Sequence, residues 1–242
     1  MLKVCKFGGS SVAGAEQFRK VRDIVLSDDS RRVVVISAAG KRTSDDHKLT
    51  DLLYLCHAHL TYGVSCADIL AAIRSRFVSI RDELGLSYRV EDEFDAYAAT
   101  LSRDTSVDEL VSRGEYFTAR LMAEALGYAF VDAADCVFFG FDGQFDRART
   151  DAAIADALEK NEKIVLPGFY GRVPTGKIKV MTRGGSDITG ALAAAAVNAD
   201  VYENWTDVSG ILMADPRIVE NPRPIPRITY AELREMAFMG AS

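Results

Sequence analysis

The sequence predicts an α/β sandwich, in which helices cover a largely parallel β-sheet. Short runs rich in β-branched residues alternate with longer segments of helical periodicity. The run at 32–37 (RVVVIS) is almost continuously apolar, as in a strand that is buried on both faces. The composition, with 48% hydrophobic and 26% charged residues, is that of a globular protein. A chain of this length can bury about three quarters of its unfolded surface, so it needs no disulfide or metal for stability.

The predicted elements follow one another along the chain. Residues 2–7 form the first strand, and residues 15–26 form a helix whose apolar side chains share one face. After the strand at 32–37 and a polar loop at 38–46, four helices are predicted near 47–60, 65–84, 91–102 and 106–126. The later strands are predicted near 129–131, 136–139, 163–166, 177–181 and 201–206. The later helices are predicted near 151–160, 187–197 and 230–239. Four of the six prolines fall within 216–227, which is therefore predicted to be a loop.

Charge and hydropathy exclude several classes of protein. The net charge of −6 argues against non-specific binding to nucleic acid. No apolar run reaches the roughly 18 residues of a membrane span, and the apolar stretch at the start is too short for a signal peptide. We therefore predict a cytoplasmic protein with neither a nucleic-acid nor a membrane partner. Because no CxxC pair occurs, Cys5, Cys56, Cys66 and Cys136 are predicted to be buried thiols.

A glycine turn follows the first predicted strand, with Lys6 and Phe7 directly before Gly8 and Gly9. Glycines let backbone amides approach a ligand, and the start of the next helix favours an anion. Lys6 adds a positive charge at the carboxyl end of the strand, where open α/β sheets bind ligands. The segment is neither a Walker A loop nor a GxGxxG motif. It is either a polyphosphate cradle or an ordinary turn with a surface lysine.

A second loop with a glycine follows the strand at 32–37. Ser37 ends the strand, and Gly40, Lys41, Arg42 and Thr43 come next. Because neighbouring parallel strands end at the same edge, this loop is predicted to face the glycine turn. Its hydroxyl groups and cations suit a phosphate or a carboxylate, although a solvated loop is an alternative.

Glu115 is predicted to be a buried carboxylate. At about 100° per residue, it lies roughly 40° from Val111 and 20° from Met122, within the apolar arc of its helix. A buried carboxylate is costly unless it is paired. Its partner is either the ammonium group of a substrate or a structural arginine.

Two turns in the second half of the chain carry further candidate residues. In the first, Ser186 or Asp187 is predicted to cap the following helix, and Arg183 can clamp a carboxylate with two hydrogen bonds. In the second, Asp207 can accept a hydrogen bond from ribose, and Arg217 can reach a phosphate. A plain turn is the alternative for this second segment.

Taken together, five segments resemble the signatures of the aspartokinases. They are KFGGSSVA at 6–13, SRGE at 112–115, RGGSD at 183–187, TDVSG at 206–210 and ADPR at 214–217. They occur in the family's order and span nearly the whole chain. The resemblance implies an open three-layer αβα sandwich with a mainly parallel sheet of about eight strands. It also implies ATP-dependent phosphorylation of the side-chain carboxylate of L-aspartate, the first step toward lysine, threonine and methionine.

The resemblance also implies roles for individual residues. Lys6 would stabilise the transferring phosphoryl group, and Asp187 would organise Lys6. The implied substrate-binding positions are Ser37, Thr43, Glu115, Arg183, Gly184, Gly185 and Ser186. The implied nucleotide-binding positions are Lys6, Phe7, Gly8, Gly9, Thr206, Asp207, Leu212 and Arg217. Mg²⁺ is expected to bridge the ATP phosphates with few or no direct protein ligands, so no residue is assigned to a metal.

The sequence departs from the family pattern at several positions. Leu212 stands where many members have a tyrosine, and Ser242 where many have a lysine. The loop at 40–43 also differs from its common form. We expect residues 1–242 to be the kinase catalytic domain, truncated at its carboxyl end and without the regulatory ACT domains. The full-length protein is expected to be a homo-oligomer.

Two other functions are alternatives. One is a related kinase that acts on glutamate, acetylglutamate, carbamate or UMP. The RGGSD segment and Glu115 favour a free amino acid over UMP. The other is a non-catalytic nucleotide-binding module, against which the presence of Lys6, Glu115 and Asp187 argues.

Overall fold

Apolar β-branched runs form the centre of a parallel sheet, as the sequence predicts. A computed structural model describes residues 1–182, 184–208, 210–215 and 218–238. The strands are β1 (Lys3–Phe7), β2 (Arg31–Ile36), β3 (Ala129–Phe130), β4 (Ile164–Pro167), β5 (Tyr170–Arg172), β6 (Ile178–Val180) and β7 (Val201–Trp205). Five of them form a parallel sheet in the order β3-β4-β2-β1-β7, and β5 pairs with β6 in a separate antiparallel ribbon. The α/β class and the parallel sheet are confirmed, whereas the count of about eight strands is not.

The helices agree closely with the sequence periodicity. They are α1 (Ala15–Leu26), α2 (Leu49–Tyr62), α3 (Ala67–Leu84), α4 (Val90–Ala98), α5 (Val107–Leu126), α6 (Ala133–Cys136), α7 (Arg147–Asn161), α8 (Gly185–Ala196) and α9 (Tyr230–Phe238). Ser106 caps α5, since its hydroxyl accepts a hydrogen bond from the Glu109 amide at 3.2 Å. Gly127 ends α5 in the left-handed conformation with φ of 68°.

The sheet separates two apolar cores. Alternate residues of β2 face opposite sides, because successive side chains of a strand point in opposite directions. Val34 and Ile36 pack in the core formed with α1 to α5. Val33 and Val35 pack in the core formed with α6, α7 and α8. This gives the three layers expected of an αβα sandwich.

One local prediction is wrong, and two short elements were not predicted. The run at 136–139 is not a strand: Cys136 ends α6, and only isolated bridges at Phe138 and Phe139 follow. The sequence did not predict α6, which is a single helical turn, nor β5. Asp132 starts α6 by accepting a hydrogen bond from the Ala134 amide at 2.9 Å, and short elements of this kind carry little periodicity.

The cysteines are free thiols. Cys5, Cys56 and Cys136 are buried as predicted, whereas Cys66 is partly exposed. Cys56 and Cys66 share a side-chain hydrogen bond, and burial raises the pKa of Cys56 to about 12. Among the helices that the structure describes, none has the length and apolar character needed to cross a bilayer.

The chain divides into two units, Met1–Trp205 and Thr206–Ser242. Within the second, Leu212 and Pro224 form an isolated antiparallel bridge. Thr229 and Glu232 form a reciprocal capping box at the start of α9, with the Thr229 amide 2.8 Å from the Glu232 carboxylate. The described part of 216–227 contains no helix or strand, as its prolines predict.

Candidate active site at the carboxyl edge of the sheet

The glycine turn lies at the end of β1. Lys6 is 8% exposed, and a Cβ atom on Gly8 would lie 3.7 Å from its Nζ. The turn leads into a 3₁₀ helix, Gly9–Val12, in which the Ser11 amide donates to the Gly8 carbonyl at 3.0 Å. The predicted helix α1 starts at Ala15, after this 3₁₀ helix. Phe7 is buried against Trp205, with ring centroids 5.9 Å apart, so only its backbone is available to a ligand.

Lys6 forms an ion pair with Asp187. Lys6 Nζ lies 2.7 Å from Asp187 Oδ1, and the Asp187 side chain is 48% exposed. Asn204 lies directly opposite Lys6 in the parallel pairing of β1 and β7. Its Nδ2 donates to the same Asp187 oxygen at 3.0 Å. Asp187 thus lies over two neighbouring strands, and its carboxylate is oriented by one group from each.

Sequence reasoning missed Asn204. An asparagine in a strand carries no signal by itself, and its role depends on the register of two strands almost 200 residues apart in the chain. That register could only be inferred once β1 and β7 were known to be neighbours.

The two loops with glycines lie side by side, as predicted. The Gly40 amide donates to the Gly9 carbonyl at 2.8 Å, and the Ser37 amide donates to the Phe7 carbonyl at 3.2 Å. A Cβ atom on Gly40 would lie 2.7 Å from the carbonyl carbon and oxygen of Gly9. Glycine at both positions therefore permits the two backbones to approach this closely.

Glu115 is buried next to the end of β2. Its side chain is 4% exposed, and the Ala38 amide donates a hydrogen bond to its carboxylate. A Cβ atom on Gly114, the preceding residue of α5, would lie 3.0 Å from Ala38 Cβ. Burial raises the pKa of Glu115 to about 8, and the hydrogen bond from Ala38 opposes part of that shift.

The second carboxylate oxygen of Glu115, Oε2, is buried without a hydrogen-bond partner among the described residues. Within this part of the chain, none of the ion pairs involves Glu115, so the structural salt bridge considered from the sequence is not observed there. A buried acceptor without a partner is costly. The prediction of a buried carboxylate is confirmed, and Oε2 remains available to a cationic ligand.

The start of α8 differs from the prediction. Gly184 is the cap, with φ of 82°, so neither Ser186 nor Asp187 has that role, and no capping hydrogen bond from a described side chain is present. The Asp187 amide donates to the Gly184 carbonyl at 2.9 Å. A left-handed cap favours glycine. Asp187 is therefore free to face Lys6. Arg183 lies outside the described residues.

Phe169 is a second residue that the sequence did not indicate. It has a φ of 76°, which is uncommon for a bulky side chain. Its amide donates to Thr189 Oγ1 at 3.1 Å, and its carbonyl accepts from the Met181 amide at 2.7 Å. These bonds hold the residues after β4 against the first turns of α8, so that Gly168 lies next to Ser186.

The remaining candidates are Thr43 in the first unit and four residues outside it. Thr43 is exposed, and its carbonyl accepts from the Asp46 amide at 3.2 Å. In the second unit, Thr206 and Asp207 are exposed and share a 3.2 Å hydrogen bond, and Leu212 is in the bridge described above. Arg217 and Ser242 lie outside the described residues.

The structure thus brings together Lys6, Gly8, Gly9, Ser37, Glu115, Gly185, Ser186 and Asp187 on elements that meet at one edge of the sheet. The described residues contain no group of three or more His, Cys, Asp or Glu side chains arranged to hold a metal. A buried cation next to a glycine turn at the end of a strand suits a polyanion. A buried carboxylate with a free oxygen suits an ammonium group.

Comparison with known proteins agrees with this chemistry. The model of the amino acid kinase family matches residues 1–242. Aspartokinase 3 of Bacillus subtilis (strain 168) is 34% identical over an alignment that covers 100% of this chain and 56% of the relative. Lysine-sensitive aspartokinase 3 of Escherichia coli (strain K12) is 36% identical, with coverage of 98% and 56%. The chain therefore spans little more than half the length of these relatives.

Solved structures give the same result. The aspartate kinase of Clostridium acetobutylicum superposes with a TM-score of 0.93 at 45% identity, covering 98% of this chain and 55% of that one. Aspartokinase III of E. coli in complex with aspartate and ADP superposes with a TM-score of 0.82 at 32% identity, with coverage of 100% and 57%. Family model, sequence relatives and structures agree, and the chain belongs to the amino acid kinase family, in which it is similar to the aspartokinases over its whole length.

Proposed function

We propose that residues 1–242 form the catalytic domain of an aspartokinase, which transfers the γ-phosphoryl group of ATP to the side-chain carboxylate of L-aspartate and produces 4-phospho-L-aspartate. The observation that carries the proposal is that a buried lysine and a buried carboxyl group lie at one edge of the sheet. Lys6 lies next to the glycine turn, and the Glu115 Oε2 atom has no hydrogen-bond partner in the described part of the chain. Together they suit a substrate with an ammonium group and a co-substrate with phosphates.

Catalysis in this site rests on positioning and charge. The attacking carboxylate is ionised at neutral pH, so the reaction needs no general base. Lys6, oriented by its ion pair with Asp187, stabilises the negative charge of the transferring phosphoryl group. Mg²⁺ bound to ATP would neutralise phosphate charge, and Asp187, which is half-exposed, is a carboxylate able to contact it.

The substrate-binding roles are assigned by chemistry. Glu115 accepts the α-ammonium group, because its Oε2 has no other partner among the described residues. Arg183 holds the α-carboxylate, with Ser37, Thr43, Gly184, Gly185 and Ser186 as further contacts. The backbone at 7–9 contacts the phosphates, and Thr206, Asp207, Leu212 and Arg217 bind the rest of the nucleotide.

The proposed reaction is the first step toward lysine, threonine and methionine. We propose a cytoplasmic location, because the cysteines are free thiols, which persist in a reducing compartment. The protein is proposed to act as a homo-oligomer.

Glu115 also discriminates among the other candidate substrates of the family. An acetylated amino acid carries no ammonium group and would leave Glu115 unpaired. Glutamate retains the ammonium group and differs by one methylene, so it is the second candidate. A nucleotide-binding protein without catalysis is the third, and the ion pair of Lys6 with Asp187 argues against it.

A coupled ADP-release assay tests the proposal. The purified protein is given ATP, Mg²⁺ and each of aspartate, glutamate, acetylglutamate and UMP, and hydroxylamine traps any acyl phosphate. We expect turnover and trapping with aspartate, and loss of at least about a hundredfold in kcat for Lys6→Ala. Preference for another acceptor, or an active Lys6→Ala variant, would contradict the proposal.

A further inference from the structure

A buried arginine lies beneath the loop that joins β2 to α2. Arg76, on α3, is 5% exposed. Its Nη1 donates to the His47 carbonyl at 2.7 Å, and its Nη2 donates to the Gly40 carbonyl. Burial lowers the pKa of Arg76 from its ordinary value, while Asp46 opposes that shift. Burial of a guanidinium group destabilises the folded state unless hydrogen bonds replace those it made with water.

The position would otherwise suit an apolar side chain. Ile73 and Ile80 of the same helix are buried in the core, and Arg76 lies three residues from the first and four from the second, on the same face. Its Nε has no partner among the described residues. The guanidinium group therefore gains little from the apolar core. Its hydrogen bonds are made to the loop between β2 and α2.

The two carbonyls that Arg76 binds mark the two ends of one loop, residues 40–47. Within it, Arg42 and Asp46 form an ion pair with Nε and Oδ2 2.8 Å apart. Asp46 also lies 3.6 Å from Arg76 Nη2. A planar guanidinium can donate to two acceptors in fixed directions, so one side chain holds both ends of this loop.

The loop is in turn bonded to the glycine turn. The peptide groups on both sides of the Gly40 Cα are held, because the amide donates to the Gly9 carbonyl at 2.8 Å and the carbonyl accepts from Arg76. Gly9 belongs to the turn next to Lys6. A movement of Gly40 by a few tenths of an ångström would act directly on the backbone of Gly9.

We propose that Arg76 is a positioning residue for phosphoryl transfer, which holds loop 40–47 against the glycine turn and thereby fixes the backbone that receives the phosphates. This inference rests on the proposed function. Arg76 itself contacts no substrate. Its effect is on the geometry of the turn, and phosphoryl transfer depends strongly on such geometry.

The test compares substitutions on one helix. Arg76→Met replaces the charge by an apolar side chain that suits the core. Arg76→Lys keeps a charge, but an ammonium group does not reproduce the planar fork. Arg74→Met is the matched control, since Arg74 is more exposed and pairs with Asp95 at 2.8 Å. We expect kcat/KM for ATP to fall at least about tenfold in both Arg76 variants and to change less than about twofold in Arg74→Met.

Limited trypsin digestion supplies a readout that does not depend on turnover. Lys41 and Arg42 are exposed cleavage sites within the loop. We expect cleavage there to accelerate at least about tenfold in Arg76→Met while cleavage elsewhere keeps its rate. General acceleration would show a structural role only and overturn the proposal, as would faster loop cleavage with unchanged kinetics. If Arg76→Met does not fold, the same criteria apply to Arg76→Lys.

A separate measurement tests the role of Arg76 if the proposed function is wrong. If the unsubstituted protein does not phosphorylate aspartate, calorimetry with ATP and Mg²⁺ replaces the kinetic assay. ATP binding at least about tenfold weaker in Arg76→Met would support the positioning role, and equal affinity would overturn it.

Discussion

Glu115 has an unusual state for a carboxyl group at neutral pH. Its pKa of about 8 means that the free protein mostly carries it protonated at pH 7. The cause is desolvation, which penalises the charged form. An ammonium ion next to it would reverse that preference, because the charged pair is favoured over a neutral acid beside a cation.

Aspartate binding should therefore release a proton. At pH 7 we expect about one proton per aspartate bound, since the ammonium group lowers the pKa of Glu115 well below the pH. Calorimetric titrations in buffers of different ionisation enthalpy measure this number. Glu115→Gln should show weaker binding without this proton release, and equal release in the two proteins would contradict the role of Glu115.

The same group should make stability depend on pH. The folded-state pKa of about 8 is raised above the unfolded value of 4.5, so the folded protein binds more protons between these values and loses stability as pH rises through them. Glu115→Gln removes that loss. We expect its gain in free energy of unfolding over the unsubstituted protein to be about 3–4 kcal/mol larger at pH 8 than at pH 5. Denaturant melts at both values measure it, and a pH-independent difference would be inconsistent with a raised pKa.

At the scale of elements, the carboxyl ends of β1 and β7 meet at Asp187. Asn204→Ala removes a bond that orients this carboxylate, so we expect kcat to fall about fivefold to twentyfold with little change in either KM. Steady-state kinetics measure both parameters. Tyr202→Phe is the control, because its hydroxyl donates to the Asp187 carbonyl at 3.3 Å and not to the carboxylate. Equal effects of the two substitutions would show that orientation of the carboxylate is unimportant.

The contact between the glycine turn and loop 40–47 gives a second prediction at this scale. In Gly40→Ala the new methyl group would meet Gly9 backbone atoms at 2.7 Å, so one of the loops must shift. We expect a loss of about 1–3 kcal/mol in the free energy of unfolding, together with a fall in kcat/KM for ATP.

Gly14→Ala is the matched control for this substitution, because its methyl group would make only an ordinary contact at 3.5 Å. Thermal melts and kinetics on both variants decide the matter. A Gly40→Ala variant as stable and active as Gly14→Ala would show that the close approach is not required.

For the whole molecule, local patterns were enough to predict most elements and part of the site. The burial of Glu115 followed from helical periodicity, and Lys6 and the two glycine loops followed from their places at strand ends. Asn204 and Arg76 could not be predicted, because their roles depend on pairings between distant segments. The cap of α8 was misjudged because Gly184 adopts a conformation that side-chain preferences do not reveal.

The placement of β1 has a consequence for how the site fluctuates. β1 is hydrogen-bonded to β2 on one side and β7 on the other, so its amides should exchange with solvent only in near-global unfolding. Asp187 lies instead in the first turn of a helix, and Gly40 in a loop, which open at much lower cost. We therefore expect local opening to separate Asp187 and Gly40 from Lys6, while the backbone of Lys6 keeps its place in the sheet. Each time the site closes, these two residues return to the same position beside Lys6.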